Sequence, residues 1–170
     1  MVPAERVQGG SDRLVEIMEL LFFAYRDFTG EADAILAEIG FGRAHHRVLH
    51  FVNRRPGLRV ADLLDILRIT KQSLARVLNQ LVDDDCIDVR SGEADRRERR
   101  LYPTAKGADI AMRLAALQTR RIRSALDDAG LGAEEPARRF LSGMIAATDR
   151  EAVIRLIEEA GRATARPRPA

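Results

Sequence analysis

Gln72, Ser73, Arg76 and Asn79 fall within eight residues, in a stretch that carries no carboxylate between Lys71 and Gln80. Amide, hydroxyl and guanidinium groups at this density suit hydrogen bonding to base edges. In the major groove Arg pairs bidentately with guanine, and Gln or Asn with adenine. Thr70 and Lys71 come just before them, where a helix start would offer its free amides and a cation to phosphate oxygens. A second concentration follows at Arg90, Arg96, Arg97, Arg99 and Arg100. Arginine at the tip of a hairpin can enter a narrow minor groove, where the potential is most negative. Asp95, two residues before Arg97, is placed to brace that arginine by a charge-assisted bond. Each cluster also has a plainer reading, as the wet face of an amphipathic helix and as a solvated charged loop. Their adjacency favours one composite reader of duplex nucleic acid.

Other chemistry finds little support. His46 and His50 are four residues apart, as metal ligands on one helix face can be, but no Asp or Glu lies between Glu38 and Asp62 and no Cys is near. No metal or cofactor is expected. Neither a G-x-x-x-x-G-K-[ST] nor a G-x-G-x-x-G loop occurs, and no G-x-S-x-G turn, so an enzyme is not expected. The single cysteine, Cys86, follows three aspartates, which should raise its thiol pKa, and it reads as a buried packing residue.

The elements that must position these residues follow from periodicity. Leu74, Val77, Leu78, Leu81 and Val82 recur at helical spacing behind Thr70, an N-cap candidate. The polar residues above occupy the opposite face. Residues 60–67 form a short preceding helix with Val60, Leu63, Leu64 and Leu67 inward, and Arg68, Ile69 and Thr70 make the three-residue turn of a helix-turn-helix, though without glycine. Residues 86–90 alternate as a half-buried strand with Ile87 and Val89 on one face. Residues 99–103 can return antiparallel with Leu101 inward, and Gly92 signals the turn.

Outside this region, residues 1–10 read as a disordered N-terminus. From Ser11 or Asp12 a helix spans residues 11–42 and is apolar nearly all round (Leu14, Ile17, Met18, Leu21, Phe22, Tyr25, Phe28), which calls for cover on two sides, as from a second subunit. Residues 43–54 form a helix with Ala44, Val48, Leu49, Phe51 and Val52 inward. Thr104 can cap a helix running to about residue 129, in which Gly107 would permit close backbone approach; Ile110, Leu114, Leu117, Ile122 and Leu126 form its stripe. After Gly130, Leu131 and Gly132 a single last helix starts at Glu134, and residues 161–170 read as a disordered tail.

Net charge is only +2, but residues 1–42 carry 3 basic and 8 acidic side chains against 13 and 9 in residues 43–100, so the positive charge sits where the reader does. No apolar run approaches the roughly 18 residues of a membrane span, and a cytoplasmic protein without a membrane partner is expected.

The segment TKQSLARVLNQLVDDDCIDVRSGEADRRERRLYPTAKG resembles the winged helix-turn-helix core of the MarR family of bacterial transcriptional regulators. Asp95, Arg96 and Arg97 match the family's D-R-R at the end of the wing, and Thr104 to Gly107 match its T-x-x-G. Gly92 and Glu93 depart from the Asp-Pro often found at the wing's start. The resemblance implies a mostly α fold with a two- or three-stranded β wing. It assigns residues 11–42 and 105–160 to dimerisation helices and residues 43–104 to a winged helix-turn-helix DNA-binding domain. It further implies a homodimer on a pseudo-palindromic operator, and a small aromatic or anionic effector held near Phe22, Tyr25, Arg26 and His46. The alternative is a winged-helix protein-interaction module that reads no DNA.

Overall fold

A computed structural model describes residues 4–92 and 95–165, with side chains from residue 11 to residue 162. The chain divides into two compact units, residues 1–43 and residues 44–170.

The first unit is dominated by one helix, α1 (Ala4–Glu38). It starts seven residues before Ser11, so residues 4–10 are helical rather than disordered as expected. Ala4, Glu5, Arg6, Val7 and Gln8 contain no helix breaker, and the cost of extending an existing helix through Gly9 and Gly10 is only about 1 kcal/mol per glycine. The helix ends on Gly40 at φ +73°, with Phe41 N–H donating to Leu36 O at 2.8 Å and Gly40 N–H to Ala37 O at 3.2 Å. This 6→1 and 5→2 pair is a Schellman stop, which needs the left-handed backbone that glycine adopts without strain. Leu14, Met18, Leu20, Phe22, Phe23 and Tyr25 all stand exposed along α1.

The second unit contains α2 (Arg43–Arg54) from Ala44 onward, β1 (Leu58–Arg59), α3 (Val60–Leu67), α4 (Lys71–Asp83), β2 (Ile87–Ser91), β3 (Arg99–Pro103), α5 (Ala105–Ala129), α6 (Glu134–Met144) and α7 (Ala147–Ala165). Its core is built where the sequence periods converge. Val48, Leu49 and Val52 of α2, Leu63 and Leu67 of α3, and Leu74, Val77 and Leu81 of α4 are buried. Ala44 and Val82 are exposed, contrary to expectation, because each lies at the edge of its helix's apolar arc. The sheet is antiparallel in the order β1-β3-β2. β1 is only two residues long and shows no alternation from which it could be read in the sequence.

Helix α5 buries Ile110, Ala111 and Leu114, but Ile122 on the same stripe is exposed. The described chain covers only the first half of this helix. The expected single last helix is two. Ile145, extended at ψ 136°, separates α6 from α7, and Arg150 seals the joint by donating to the carbonyls of Gly143 and Ile145, both at 3.0 Å. No side chain of α6 is buried, and Phe140, Leu141 and Met144 are exposed. α7 is helical to Ala165, so the expected tail is ordered over residues 161–165; residues 166–170 lie outside the described residues.

His50 on α2 is largely buried, and its pKa is lowered to about 4, chiefly by burial and secondarily by Arg54, His46 and Arg55. The unfolded chain therefore takes up a proton near pH 6.5 that the folded chain refuses until near pH 4. The contribution of His50 to stability is fully present above pH 6.5 and is lost as pH drops toward 4, by up to about 3 kcal/mol. Urea titrations between pH 4 and 7 should show this acid slope shrink in His50→Gln; an unchanged slope would refute the assignment.

Candidate nucleic-acid interface

The α3–α4 turn is made without glycine. Arg68 itself takes the left-handed conformation, at φ 50° and ψ 49°, and its N–H closes α3 on Leu64 O. A non-glycine residue is costly there, of order 1 kcal/mol. The surroundings hold it: Arg47 donates to Leu67 O at 3.0 Å, and the Arg68 guanidinium lies 2.7 Å from Asp149 at the start of α7. Neither partner was apparent from sequence, since the bonded residues lie 20 and 81 positions apart. Thr70 caps α4 as expected, its hydroxyl oxygen accepting from Ser73 N–H at 3.1 Å.

Beyond that cap, Lys71, Gln72, Ser73, Arg76 and Asn79 are all exposed, with Gln72, Arg76 and Asn79 on the side of α4 opposite Leu74, Val77 and Leu81 and Lys71 and Ser73 flanking it in the first turn. Gln80 is different. Its Oε1 lies 2.8 Å from His45 Nε2, so it joins α4 to α2.

The wing is shaped by backbone bonds. Gly92 N–H donates to Glu98 O at 2.8 Å and Glu98 N–H to Asp95 O at 3.0 Å. A Cβ on Gly92 would lie 2.8 Å from Asp95 O, so glycine is required by close approach. Of the two positions that depart from the family's Asp-Pro, Gly92 is described, whereas Glu93, with Ala94, lies outside the described residues. Asp95 does brace Arg97, but differently from the expected charge-assisted bond to its guanidinium: Oδ1 accepts the backbone N–H of Arg97 at 2.8 Å. An Asp side chain folds back readily on an amide two residues on, forming an Asx turn. Arg96 and Arg97 are exposed, and among the described residues no carboxylate pairs with either guanidinium.

Arg90 and Arg100 of the wing are engaged. Arg90 pairs with Asp88 at 3.2 Å and stacks 4.5 Å from the Tyr102 ring centre; Arg100 pairs with Glu98 at 2.5 Å. Arg59 of β1 grips Asp62 through two bonds, 2.8 and 2.5 Å long. That contact raises the Arg59 pKa, first through its hydrogen bond to Asp62, and lowers that of Asp62. Arg59, Asp62 and Glu98 were not among the expected site residues.

Behind the wing, α4 meets α5. Thr104 caps α5 by accepting from Gly107 N–H at 3.0 Å while its hydroxyl donates to Asp85 O at 2.7 Å. Lys106 donates to Asp84 O at 2.6 Å. The T-x-x-G segment thus satisfies carbonyls left over at the end of α4. Cys86 is fully buried there, and its pKa is raised mainly by burial, with smaller contributions from Asp84 and Asp85 that Lys106 opposes.

The residues expected at an effector site fall on both units. On α1, Phe22 and Tyr25 are exposed, and Arg26 is paired with Asp27 at 2.7 Å while lying 4.9 Å from the Phe23 ring centre. His46 is half-buried on α2. Among the described residues, no three His, Cys, Asp or Glu side chains gather as metal ligands, and no helix is long and apolar enough to cross a membrane.

A short helix, a tight turn, a second helix with an exposed polar face and an arginine-tipped antiparallel hairpin define a winged helix-turn-helix protein of the DNA-binding kind. Residues 39–98 match the MarR family. The chain is 46% identical over 134 residues to the HTH-type transcriptional regulator PetP of Rhodobacter capsulatus, covering 79% of this chain and 81% of that protein. The protein belongs to the MarR family of transcriptional regulators and is a DNA-binding regulator rather than an enzyme. Solved structures share the fold at low identity. S. aureus MepR in its DNA-binding conformation is 15% identical with a TM-score of 0.66, covering 76% of this chain and 96% of MepR. Bacillus subtilis YusO is 17% identical with a TM-score of 0.57, covering 80% and 97%.

Proposed function

We propose that this protein is a ligand-responsive cytoplasmic repressor that binds a pseudo-palindromic operator as a homodimer. The observation that carries sequence reading is the exposed face of Gln72, Ser73, Arg76 and Asn79, beside a wing tip whose Arg96 and Arg97 have no carboxylate partner among the described residues. Thr70 and Lys71 serve phosphates at the start of α4, and Asp95 holds the wing tip in shape for Arg97. Dimerisation is supported separately within each unit by apolar side chains left open to water: Phe22 and Phe23 on α1, and Phe140 and Leu141 on α6. Monomeric soluble proteins rarely leave such patches uncovered. A homodimer presents two α4 helices, which suits half-sites one helical turn apart.

The effector in this reading is a small aromatic or anionic molecule. Phe22 and Tyr25 offer exposed rings, and an anion reaching Arg26 must compete with Asp27.

Selection of bound duplexes from a random pool tests the reading, with a palindromic consensus expected. Recovery of no sequence, together with salt-independent binding to random duplex, would leave a protein-interaction module as the better account. A panel of aromatic carboxylates screened by melting temperature tests the effector, because a ligand of the folded state raises it.

A further inference from the structure

Two rows of facing residues cross the three-stranded sheet. Leu58, Leu101 and Val89 make one row, with Leu58 and Leu101 buried. The next row is Arg59, Arg100 and Arg90. Successive residues of a strand point to opposite faces, so three guanidinium stems stand abreast on the face away from the core. Like charges directly across a sheet repel. Three carboxylates offset that repulsion. Asp88 takes Arg90 and Asp62 takes Arg59. Glu98 sits between the other two, with Oε1 2.5 Å from Arg100 and Oε2 3.7 Å from Arg59. Arg100 also donates to Gly57 O at 3.3 Å. The Glu98 side chain is only 25% exposed, and its backbone is tied on both sides within the wing. Arg59, Glu98, Arg97 and Arg99 line one open recess of about 500 Å³ beside Lys71 of α4.

We propose that Glu98 is a specificity-determining positioning residue. It occupies Arg100 and, together with Asp62, Arg59, so that the protein offers a duplex the arginines of the wing tip but not those at the base of the sheet. The inference rests on the DNA-reading function above. Cationic contacts to phosphate strengthen binding to every sequence alike, whereas base contacts separate one sequence from another. Two guanidinium groups withheld from the backbone lower affinity for random DNA and leave the contribution of Gln72, Ser73 and Arg76 undiluted. A carboxylate at this place also repels phosphate directly.

The test compares the full-length protein with Glu98→Gln, which keeps the shape and removes the charge. Binding is measured by anisotropy on a random duplex and on a selected duplex across a salt series. Glu98→Gln should bind random duplex several-fold more tightly at low salt, and the log–log salt slope should steepen by about one, as one more phosphate contact through Arg100 requires while Asp62 still holds Arg59. The preference for the selected duplex should narrow. Adding Arg59→Gln and Arg100→Gln to that variant should return the slope to its original value. A slope that stays the same or becomes shallower would overturn the proposal. Should Glu98→Gln fail to fold, Arg59→Gln/Arg100→Gln in the otherwise unaltered chain gives an independent answer. Its slope should match the parent's, and a loss of about two would overturn the proposal. If the parent protein shows no salt-dependent duplex binding, DNA reading itself fails, and that result is distinct from every outcome named for the variants.

Discussion

Gly107→Ala is expected to destabilise the protein by about 3 kcal/mol or more, although alanine is the better helix former by about 1 kcal/mol. The reason is local and steric. A Cβ at Gly107 would lie 1.9 Å from Cys86 O and 2.8 Å from Cys86 C. Both are backbone atoms, so no flexible side chain can swing aside. Relief requires α5 to back away from the end of α4. That movement would strain the Thr104 hydroxyl bond to Asp85 O, the Lys106 bond to Asp84 O and the Thr104 N–H bond to Cys86 O. It would also disturb Leu114 of α5 and Ile87, which follows Cys86; both are buried. Gly30→Ala is the matched control, because Gly30 is inside α1 and a Cβ there would meet nothing within 4 Å. There the helix-propensity gain of up to about 1 kcal/mol should appear unopposed. Urea unfolding of the two variants should move in opposite directions, and equal behaviour would show that Cys86 gives way without cost.

Gly107 also marks the boundary of what the residues disclose in advance. A glycine inside a strong helical pattern, three after a capping threonine, can be read as a close-approach site, and α5 does approach Cys86 there. Thr70 and Thr104 were legible for the same reason: a cap is a local event, settled within four residues. The bounds of α2 and α3 and the start of α4 were legible because each helix carries an apolar stripe that is buried. What could not be read was decided at a distance. Arg68 takes a glycine-like backbone that only Arg47 and Asp149, remote in sequence, make tolerable. β1 exists because Leu58 and Arg59 find β3 as a partner, not through any pattern of their own. The break at Ile145 carries no glycine or proline, and Arg150 supplies the stabilising bonds from five residues on. Glu98 looked like one more charge in a charged loop until Arg59 and Arg100 stood on either side of it. Helix α6 shows the opposite case: its Phe140, Leu141 and Met144 keep a helical apolar spacing yet are exposed in the single chain.

Replacing Arg76 and Arg97 separately should weaken DNA binding in two distinguishable ways. Both side chains are exposed, so neither loss should lower the melting temperature appreciably. Arg76 stands one turn beyond Gln72 and Ser73 on the open face of α4, where a guanidinium can reach base edges. Arg76→Ala is expected to lose about 1–3 kcal/mol on the selected operator, roughly 5- to 150-fold, with relaxed preference at one base pair of each half-site. Its affinity for random duplex should change little. Arg97 belongs to a wing tip held by Asp95, and in the proposed reading its charge would act on the phosphate-lined groove whatever the sequence. Arg97→Ala should therefore weaken selected and random duplexes alike and flatten the salt slope by about one. Anisotropy titrations over a salt series, with both duplexes and both variants, separate these signatures. If Arg76→Ala lowered both affinities equally, α4 would be gripping backbone rather than bases. If Arg97→Ala altered sequence preference with no change in slope, the wing would be reading rather than holding. Either exchange would reverse the division of labour drawn from a carboxylate-free helix face and an arginine-tipped hairpin.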